Sequence, residues 1–233
     1  MPGFRKEGAL ERADAFEAEA DGLEALRPHI RVPRVLERGV RGDKAFILLE
    51  HLELKRSGDY AAMGRMLAML HRQLGTRFGW ARNNYIGSTP QQNGWCDDWA
   101  EFWCERRMRP QLEMAGLKIN LGAVARLLEK RKPQPSLLHG DLWSGNAGFT
   151  AEGPVVFDPA VYYGDREAEL AMTELFGGFP REFYDAYNQT WPLDAGYAPR
   201  RALYNLYHLL NHLNLFGAGY LGQVRRTLGL LGL

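Results

Sequence analysis

Two short apolar segments, each followed by an aspartate, constrain most tightly how this chain can fold. Residues 137–138 are leucines that precede His139-Gly140-Asp141, and residues 155–157 are Val-Val-Phe and precede Asp158. Short apolar runs bounded by glycine and polar residues are typical of buried strands, whereas the flanking regions have helical spacing. The pattern therefore predicts two strands within a mostly helical region, each of which delivers an aspartate at its end.

The rest of the chain divides into two pieces near residues 50–54. The first has a helical pattern over 13–26 and predicted strands at 32–36 and 45–49, joined through a polar turn at 41–43. The second is mostly helical, with apolar helix faces predicted over 63–74, 120–130 and 204–216. A loop is predicted at 75–94, and a further helix begins after it at a cap formed by Asp97 or Asp98. These patterns predict an α+β fold with a small lobe at 1–53 and a larger helical lobe at 54–233.

Composition excludes several classes of protein. The 29 basic and 28 acidic residues leave a net charge of +1, which argues against nucleic acid as the main partner. No apolar run is long enough to span a membrane, and the first residues lack the apolar stretch of a signal peptide. Cys96 and Cys104 are too few for a disulfide framework or a four-cysteine zinc site, and we expect free thiols in a cytoplasmic protein.

The spacing of Asp141 and Asn146 matches a known catalytic loop. Asn146 follows Asp141 by five residues, as in phosphotransferase loops where the aspartate is the base and the asparagine binds a metal. Oxygen ligands such as Asn146 and Asp158 suit Mg²⁺, and Asp141 could accept the proton of the attacking hydroxyl. Alternatively, Asp141 and Asn146 are turn residues that bond their own backbone, and the short pattern also arises by chance. The two flanking strands favour phosphoryl transfer.

The chain resembles the kinase-like phosphotransferases of small molecules, which include the aminoglycoside and choline kinases. Within these it is most similar to the fructosamine kinase (ketosamine 3-kinase) family. The resemblance rests on the catalytic loop at 138–146 with Asp158-Pro159-Ala160, on segments 84–87, 98–99 and 176–180, and on the Leu-Asn-His-Leu-Asn sequence in 204–216. It implies a bilobal protein-kinase-like fold and the use of ATP and Mg²⁺.

The resemblance also implies a substrate. Family members phosphorylate the 3-hydroxyl of sugars linked to amines as ketosamines, and the unstable product releases the amine. The partners would be small-molecule ketosamines or glycated protein lysines. Fructosamine, ribulosamine and erythrulosamine all remain open as the preferred sugar, and the sequence makes no prediction of oligomeric state.

Four further residues are assigned to the nucleotide through the resemblance. Lys6 would contact the ATP phosphates and pair with Glu19 on the following helix. The alternative for both is an ordinary solvated charge. Glu50 and Leu52 lie in the connector between the lobes, whose backbone groups would contact adenine; the alternative is a plain linker.

Three other positions near the predicted loop have competing interpretations. Trp143 either forms a wall of the sugar pocket or supports the loop from the core. His139 is predicted to brace the loop, because Asp141 already occupies the position of the base. Asp165 and Glu169 are explained by capping and the dipole of the helix that they open.

The start of the sequence departs from the family pattern. Only five residues precede Lys6, where the family has two strands joined by a glycine-rich loop over the phosphates. We therefore expect a truncated small lobe with weak ATP binding. Two rival functions remain: another small-molecule kinase of this fold, acting on an aminoglycoside, choline or a sugar, and a ketosamine-binding protein without productive ATP binding.

Overall fold

The computed structural model describes residues 3–233 and has a small and a large lobe. The small lobe is a three-stranded antiparallel sheet of order β1-β3-β2, with β1 at Gly3–Ala9, β2 at Val35–Arg41 and β3 at Lys44–Glu50. Helix α1, Ala13–Leu26, crosses this sheet and matches the predicted bounds. The apolar residues of β3 make it the buried centre of the sheet, and Lys6 lies opposite Ile47 in the register.

Two sequence predictions for the small lobe need correction. Strand β2 begins at Val35, not at residue 32, because Pro33 has no N–H to contribute to a ladder. The turn is confined to Gly42-Asp43, since Arg41 still pairs with Lys44. Gly42 has a φ of 64°, a left-handed conformation that glycine adopts without strain.

The large lobe is built from helices, some of which begin with a side-chain cap. Asp98 caps the helix predicted from residue 97 or 98, and Asn120 and Asp59 cap two others. The helices are α2 Tyr60–His71, α3 Trp99–Phe102, α4 Arg109–Met114, α5 Leu121–Leu128, α6 Arg166–Leu175, α7 Arg181–Thr190, α8 Tyr197–Phe216 and α9 Leu221–Leu231. A π-helical segment, Trp103–Met108, connects α3 to α4, and short 3₁₀ turns occupy Leu10–Arg12 and Ala218–Tyr220.

The large lobe departs from the predicted pattern at four places. Helix α2 ends at His71, α5 ends at Leu128, and α8 begins at Tyr197, seven residues before the predicted start. The stretch predicted as a loop at 75–94 contains a hairpin of β4, Asn84–Ile86, and β5, Thr89–Gln91. These strands have three residues each, too short for a periodic signal, and they turn at Gly87, whose φ is 62°.

The apolar core runs through both lobes in two clusters. One cluster joins Phe16 and Leu23 of α1 to Ile47 of β3 and to Leu67 of α2 and Phe183 of α7. The other lies within the large lobe around Trp99, Trp103 and Tyr204. The boundary at 53/54 stays a prediction, but apolar packing crosses it. No helix within residues 3–233 is long and apolar enough to cross a membrane.

Candidate active site

Four short strands bring the two predicted aspartates together. Strand β6, Ser136–Leu138, pairs with β9, Tyr162–Gly164, and β7, Ala147–Thr150, forms a hairpin with β8, Gly153–Val156. The two predicted strands are therefore present, but each pairs with a different partner. Just outside these four strands, Ala160 N donates to His139 O at 2.8 Å and Phe157 N donates to Asn146 O at 3.0 Å. These backbone bonds hold the Asp141 loop against the Asp158 segment.

Asp141 and Asn146 contact each other directly. Asn146 Nδ2 donates to the backbone oxygen of Asp141 at 2.8 Å and to its Oδ2 at 3.1 Å. Because the amide nitrogen is engaged in this way, the amide oxygen faces away from Asp141 and can bind a cation. Burial raises the pKa of Asp141 to about 7, and the charges of Asp158 and Glu169 add to this effect while the Asn146 bond opposes it.

Asp158 and Lys6 form an ion pair that joins the large lobe to the small lobe. The φ of Asp158 is 57°, and it is the only non-glycine residue within 3–233 in the left-handed region. Lys6 Nζ lies 2.5 Å from Asp158 Oδ1 and 2.7 Å from Glu19 Oε1. Burial alone would lower the pKa of Lys6, but the two carboxylates outweigh it and raise the pKa above its usual value. The structure thus brings together Lys6, Glu19 and Asp158 although they lie far apart in sequence.

His139 braces the loop, as its position predicts. Its Nε2 lies 3.0 Å from Phe157 O, and its Nδ1 accepts from Asp141 N at 3.3 Å. A carbonyl only accepts, so Nε2 carries the proton and the ring is neutral. Burial is the largest influence on the pKa of His139; it lowers that pKa and so favours the neutral ring.

Capping explains Asp165 but does not explain Glu169. Asp165 accepts from Glu167 N at 3.1 Å at the start of α6. Glu169 is instead buried and accepts from the backbone N–H groups of His139 at 3.2 Å and Gly140 at 2.6 Å. The available signal was a carboxylate among the Ala and Leu residues of a buried helix face, since buried charges need partners.

Two adjoining cavities meet at Lys6 and Asp158. The first, about 330 Å³, contains Asp141, Asn146, Glu19 and Trp143. The second, also about 330 Å³, is lined mainly by apolar residues and includes Glu50 and Leu52. Five further polar residues line the first cavity without having been predicted as site residues: Arg12, Tyr85, Asn84, Asn211 and His212.

The side chains of Glu50 and Trp143 are held by the protein itself. Glu50 accepts two bonds from Arg31 and one from Arg34 N, and the Arg31 bonds lower its pKa to about 2. Its carboxylate is thereby committed to the protein, and its backbone N–H donates to Arg34 O at 2.8 Å. Trp143 is half-buried, with its ring centroid 6.2 Å from that of Phe176. Trp143 therefore packs on the protein with part of its surface and lines the cavity with another.

The donor set fits a magnesium ion that arrives with a nucleotide. Asn146 and Asp158 offer two protein oxygen sites, and residues 3–233 hold no cluster of three or more His, Cys, Asp or Glu suited to a metal. Mg²⁺ in phosphoryl-transfer sites takes only one or two carboxylates and fills its octahedron with phosphate oxygens and water. Cys96 and Cys104 are free thiols, as expected, and take no part in the site.

Comparisons with known proteins show what the chain is similar to. Residues 3–231 match the family model described as fructosamine kinase. A probable ketoamine kinase from Synechocystis is 46% identical over 97% of this chain and 81% of its own length. A chloroplastic protein-ribulosamine 3-kinase from Arabidopsis thaliana is 43% identical, over 88% of this chain and 68% of its own.

Solved structures show the same fold. A crystal structure of a candidate fructosamine-3-kinase from Haemophilus somnus superposes with a TM-score of 0.94 at 32% identity and covers 98% of this chain and 83% of that one. An aminoglycoside-3'-phosphotransferase of type VIII, at 18% identity and a TM-score of 0.52, shares the fold and covers 88% of this chain and 84% of its own. The predicted kinase-like α+β fold is thus confirmed. The chain belongs to the fructosamine kinase family, and it is an ATP-using phosphotransferase that acts on a hydroxyl group.

Proposed function

We propose that this protein transfers the γ-phosphoryl group of ATP to the 3-hydroxyl of a ketosamine. Support comes from the family match and from relatives that are named as ketoamine and ribulosamine kinases. The observation that carries the proposal is the convergence of Asp141, Asn146, Asp158 and Lys6 where two cavities meet. One cavity has the size and apolar lining for adenine, and the other has the polar lining for a sugar.

Asp141 is proposed as the base. It lies in the first cavity, which also contains Trp143 and is called the sugar-side cavity from here on. Asn146 orients its carboxylate by a hydrogen bond to Oδ2. A base is most effective when its pKa lies near the working pH, and a pKa of about 7 satisfies that condition. Asp141 would orient the attacking hydroxyl and accept its proton as the new P–O bond forms.

Asn146 and Asp158 are proposed to hold Mg²⁺, and Lys6 with Glu19 to hold the phosphates. The metal, when bound, neutralises charge on the phosphoryl oxygens. Lys6 points from the sheet into the junction of the cavities, and Glu19 fixes the direction of its ammonium group. Glu50 and Leu52 would contact adenine through the backbone, and Trp143 would form one wall of the sugar pocket.

The chemistry of the product gives the reaction its consequence. The C2 ketone acidifies the C–H bond at C1, and loss of that proton gives an enaminol that expels the phosphate from C3. Water then hydrolyses the resulting imine, which releases the amine and leaves a 3-deoxy dicarbonyl sugar. We propose glycated lysines or small glycated amines as substrates and deglycation as the outcome.

The test of the base is Asp141→Asn, with Asp185→Asn on the exposed face of α7 as the matched control. The substitution keeps shape and removes the proton acceptor, so we expect kcat for transfer to a ribulosyl-lysine peptide to fall by ~10²–10⁴-fold. Affinity for Mg·ATP, measured by calorimetry, should stay within twofold. Full kcat in Asp141→Asn, or equal loss in Asp185→Asn, would remove Asp141 from the mechanism.

The test of the metal ligands uses ATP titrations with and without Mg²⁺. Asp158→Ala should abolish the gain in ATP affinity that Mg²⁺ provides, and Asn146→Ala should reduce it less, because a carboxylate binds Mg²⁺ more strongly than an amide oxygen. Normal Mg²⁺ dependence in Asp158→Ala would place the metal elsewhere. If wild type binds ketosamine but no ATP under any condition, the rival function as a binding protein is favoured instead.

A further inference from the structure

Three side-chain amides form a hydrogen-bonded amide series in the large lobe, and the last of them lies at the sugar-side cavity. The series consists of Asn214 on α8, Gln111 on α4 and Asn211, which is one turn earlier on α8. Asn214 Nδ2 donates to Gln111 Oε1 at 2.7 Å, and Gln111 Nε2 donates to Asn211 Oδ1 at 3.1 Å. The amide series includes both asparagines of the Leu-Asn-His-Leu-Asn sequence, to which the proposed mechanism assigns no role.

The direction of the amide series is determined at its first member. Asn214 Nδ2 also donates to the backbone oxygen of Gln111 at 3.0 Å. A carbonyl oxygen only accepts, so Asn214 must present its nitrogen to Gln111 and cannot be flipped. Gln111 must then present its oxygen to Asn214 and its nitrogen to Asn211, and Asn211 must present its oxygen to Gln111. Every amide in the series thus has one orientation.

The consequence is an amide donor that lacks a partner in the protein. With its oxygen turned to Gln111, Asn211 directs Nδ2 away from it, and the contacts within residues 3–233 include no acceptor for that nitrogen. Asn211 is only 3% exposed, yet Nδ2 is not enclosed and the residue lines the cavity. An N–H₂ group that the protein leaves without an acceptor, and that reaches the cavity, is available to donate to a ligand oxygen.

The position of Asn211 relates this donor to the sugar and not to the nucleotide. Asn211 lines the cavity of Asp141 and Trp143 but not the adjoining cavity of Glu50 and Leu52. Asn211 therefore lies in the wall of the cavity that also contains Asp141, the proposed base.

We infer that Asn211 Nδ2 donates a hydrogen bond to the C2 carbonyl oxygen of the open-chain ketosamine. A ketone oxygen has no proton and only accepts, so its complement is a group that only donates, such as the oriented Nδ2. The carbonyl is next to the reacting C3 hydroxyl, which is the group that Asp141 must reach. Asn211 is then a substrate-positioning residue that selects the ketone, and this role rests on the proposed ketosamine kinase activity.

The experiment compares a ribulosyl-lysine peptide with the same peptide after reduction of its C2 ketone to an alcohol. The reduced peptide keeps the C3 hydroxyl, but its C2 oxygen becomes a hydroxyl that also donates and that is displaced from the planar position of the ketone oxygen. Wild type should prefer the ketone, and Asn211→Asp, which keeps the bond from Gln111 but presents an oxygen to the cavity, should lose this preference. We expect kcat/KM for the ketone to fall by ~10–100-fold, with the KM for ATP unchanged. Asn188→Asp, an exposed position on α7, is the control.

A second variant tests the orientation without changing Asn211. Gln111→Met removes the donor that holds Asn211 Oδ1, so the amide is free to turn and the ketone preference should decrease. An unchanged ratio of ketone to alcohol in both variants, with thermal unfolding showing that both are folded, would overturn the role of Asn211. Calorimetric binding of the ketone peptide separates this result from the proposed function. If wild type binds the peptide but transfers no phosphate, the proposed function fails, and the role of Asn211 is then decided by whether Asn211→Asp weakens peptide binding. If wild type does not bind the peptide, both proposals are overturned.

Discussion

Replacing Glu169 with glutamine tests whether the catalytic loop is held from beneath by a buried carboxylate. Glu169 Oε1 accepts from Gly140 N at 2.6 Å, and Oε2 accepts from His139 N at 3.2 Å and lies 2.8 Å from His71 Nε2. Burial by itself would raise the pKa of Glu169, but these donors and the nearby histidines hold it below its ordinary range. The carboxylate is therefore ionised, and both of its oxygens are in use.

The expected magnitude follows from the number of donors. Glutamine has one acceptor oxygen and an N–H₂ group, so in either orientation a backbone N–H of the loop faces another donor. One unsatisfied buried N–H costs ~1–3 kcal/mol, and the remaining bonds lose their charge assistance at ~1 kcal/mol each. We expect ~2–5 kcal/mol of lost stability and, for a chain of this length, a Tm lower by ~5–15 °C.

The assay combines thermal unfolding with kcat at a temperature where both proteins are folded. Because Gly140 precedes Asp141 directly, kcat of Glu169→Gln should also fall under those conditions. Glu182→Gln, in the exposed first turn of α7, should change stability by no more than ~0.5 kcal/mol. A Tm within ~2 °C of wild type and an unchanged kcat would refute the reasoning that the loop depends on this carboxylate.

Two further outcomes are expected. Gly140→Ala should lower the Tm far more than Gly42→Ala in thermal unfolding, because both glycines have a positive φ but only a Cβ at Gly140 would lie 2.0 Å from the backbone oxygen of Ala160; equal shifts would contradict the clash. The pKa of Glu50 is lowered to about 2 by Arg31, so its contribution to stability is complete above the unfolded pKa and is lost as pH falls from about 4.5 through 2. Chemical unfolding of Glu50→Gln should show a weaker pH dependence than wild type in that interval, and parallel curves would show that the ion pair does not stabilise the fold.

Helix α1 and the catalytic loop show how far local sequence reasoning extends. The bounds predicted for α1 agree with Ala13–Leu26, and Asp98, one of the two predicted caps, caps its helix. Asp141 and Asn146 are five residues apart, and their contact forms within one loop. Helix periodicity, caps and short loops depend on neighbours in the chain, so the sequence alone determines them.

Contacts between distant segments could not be predicted in the same way. Lys6 and Asp158 are separated by 152 residues, and family resemblance indicated the Lys6–Glu19 pair but not the Lys6–Asp158 contact. The hairpin β4–β5 escapes prediction because three-residue strands have no measurable period. The sequence position of Glu169 fits capping, although its contacts do not.

The sequence by itself thus determined helix α1, the cap at Asp98, the strand-borne aspartates and the likeness to a kinase family, but not the bounds of α7, α8 or α9. Only the tertiary structure decided what each polar side chain contacts. The orientation of Asn211 is the clearest case, because it depends on Gln111, which lies 100 residues away. Hydrogen bonds are directional and buried groups must be satisfied, so the chemistry of such a residue is set by the partners that folding brings to it.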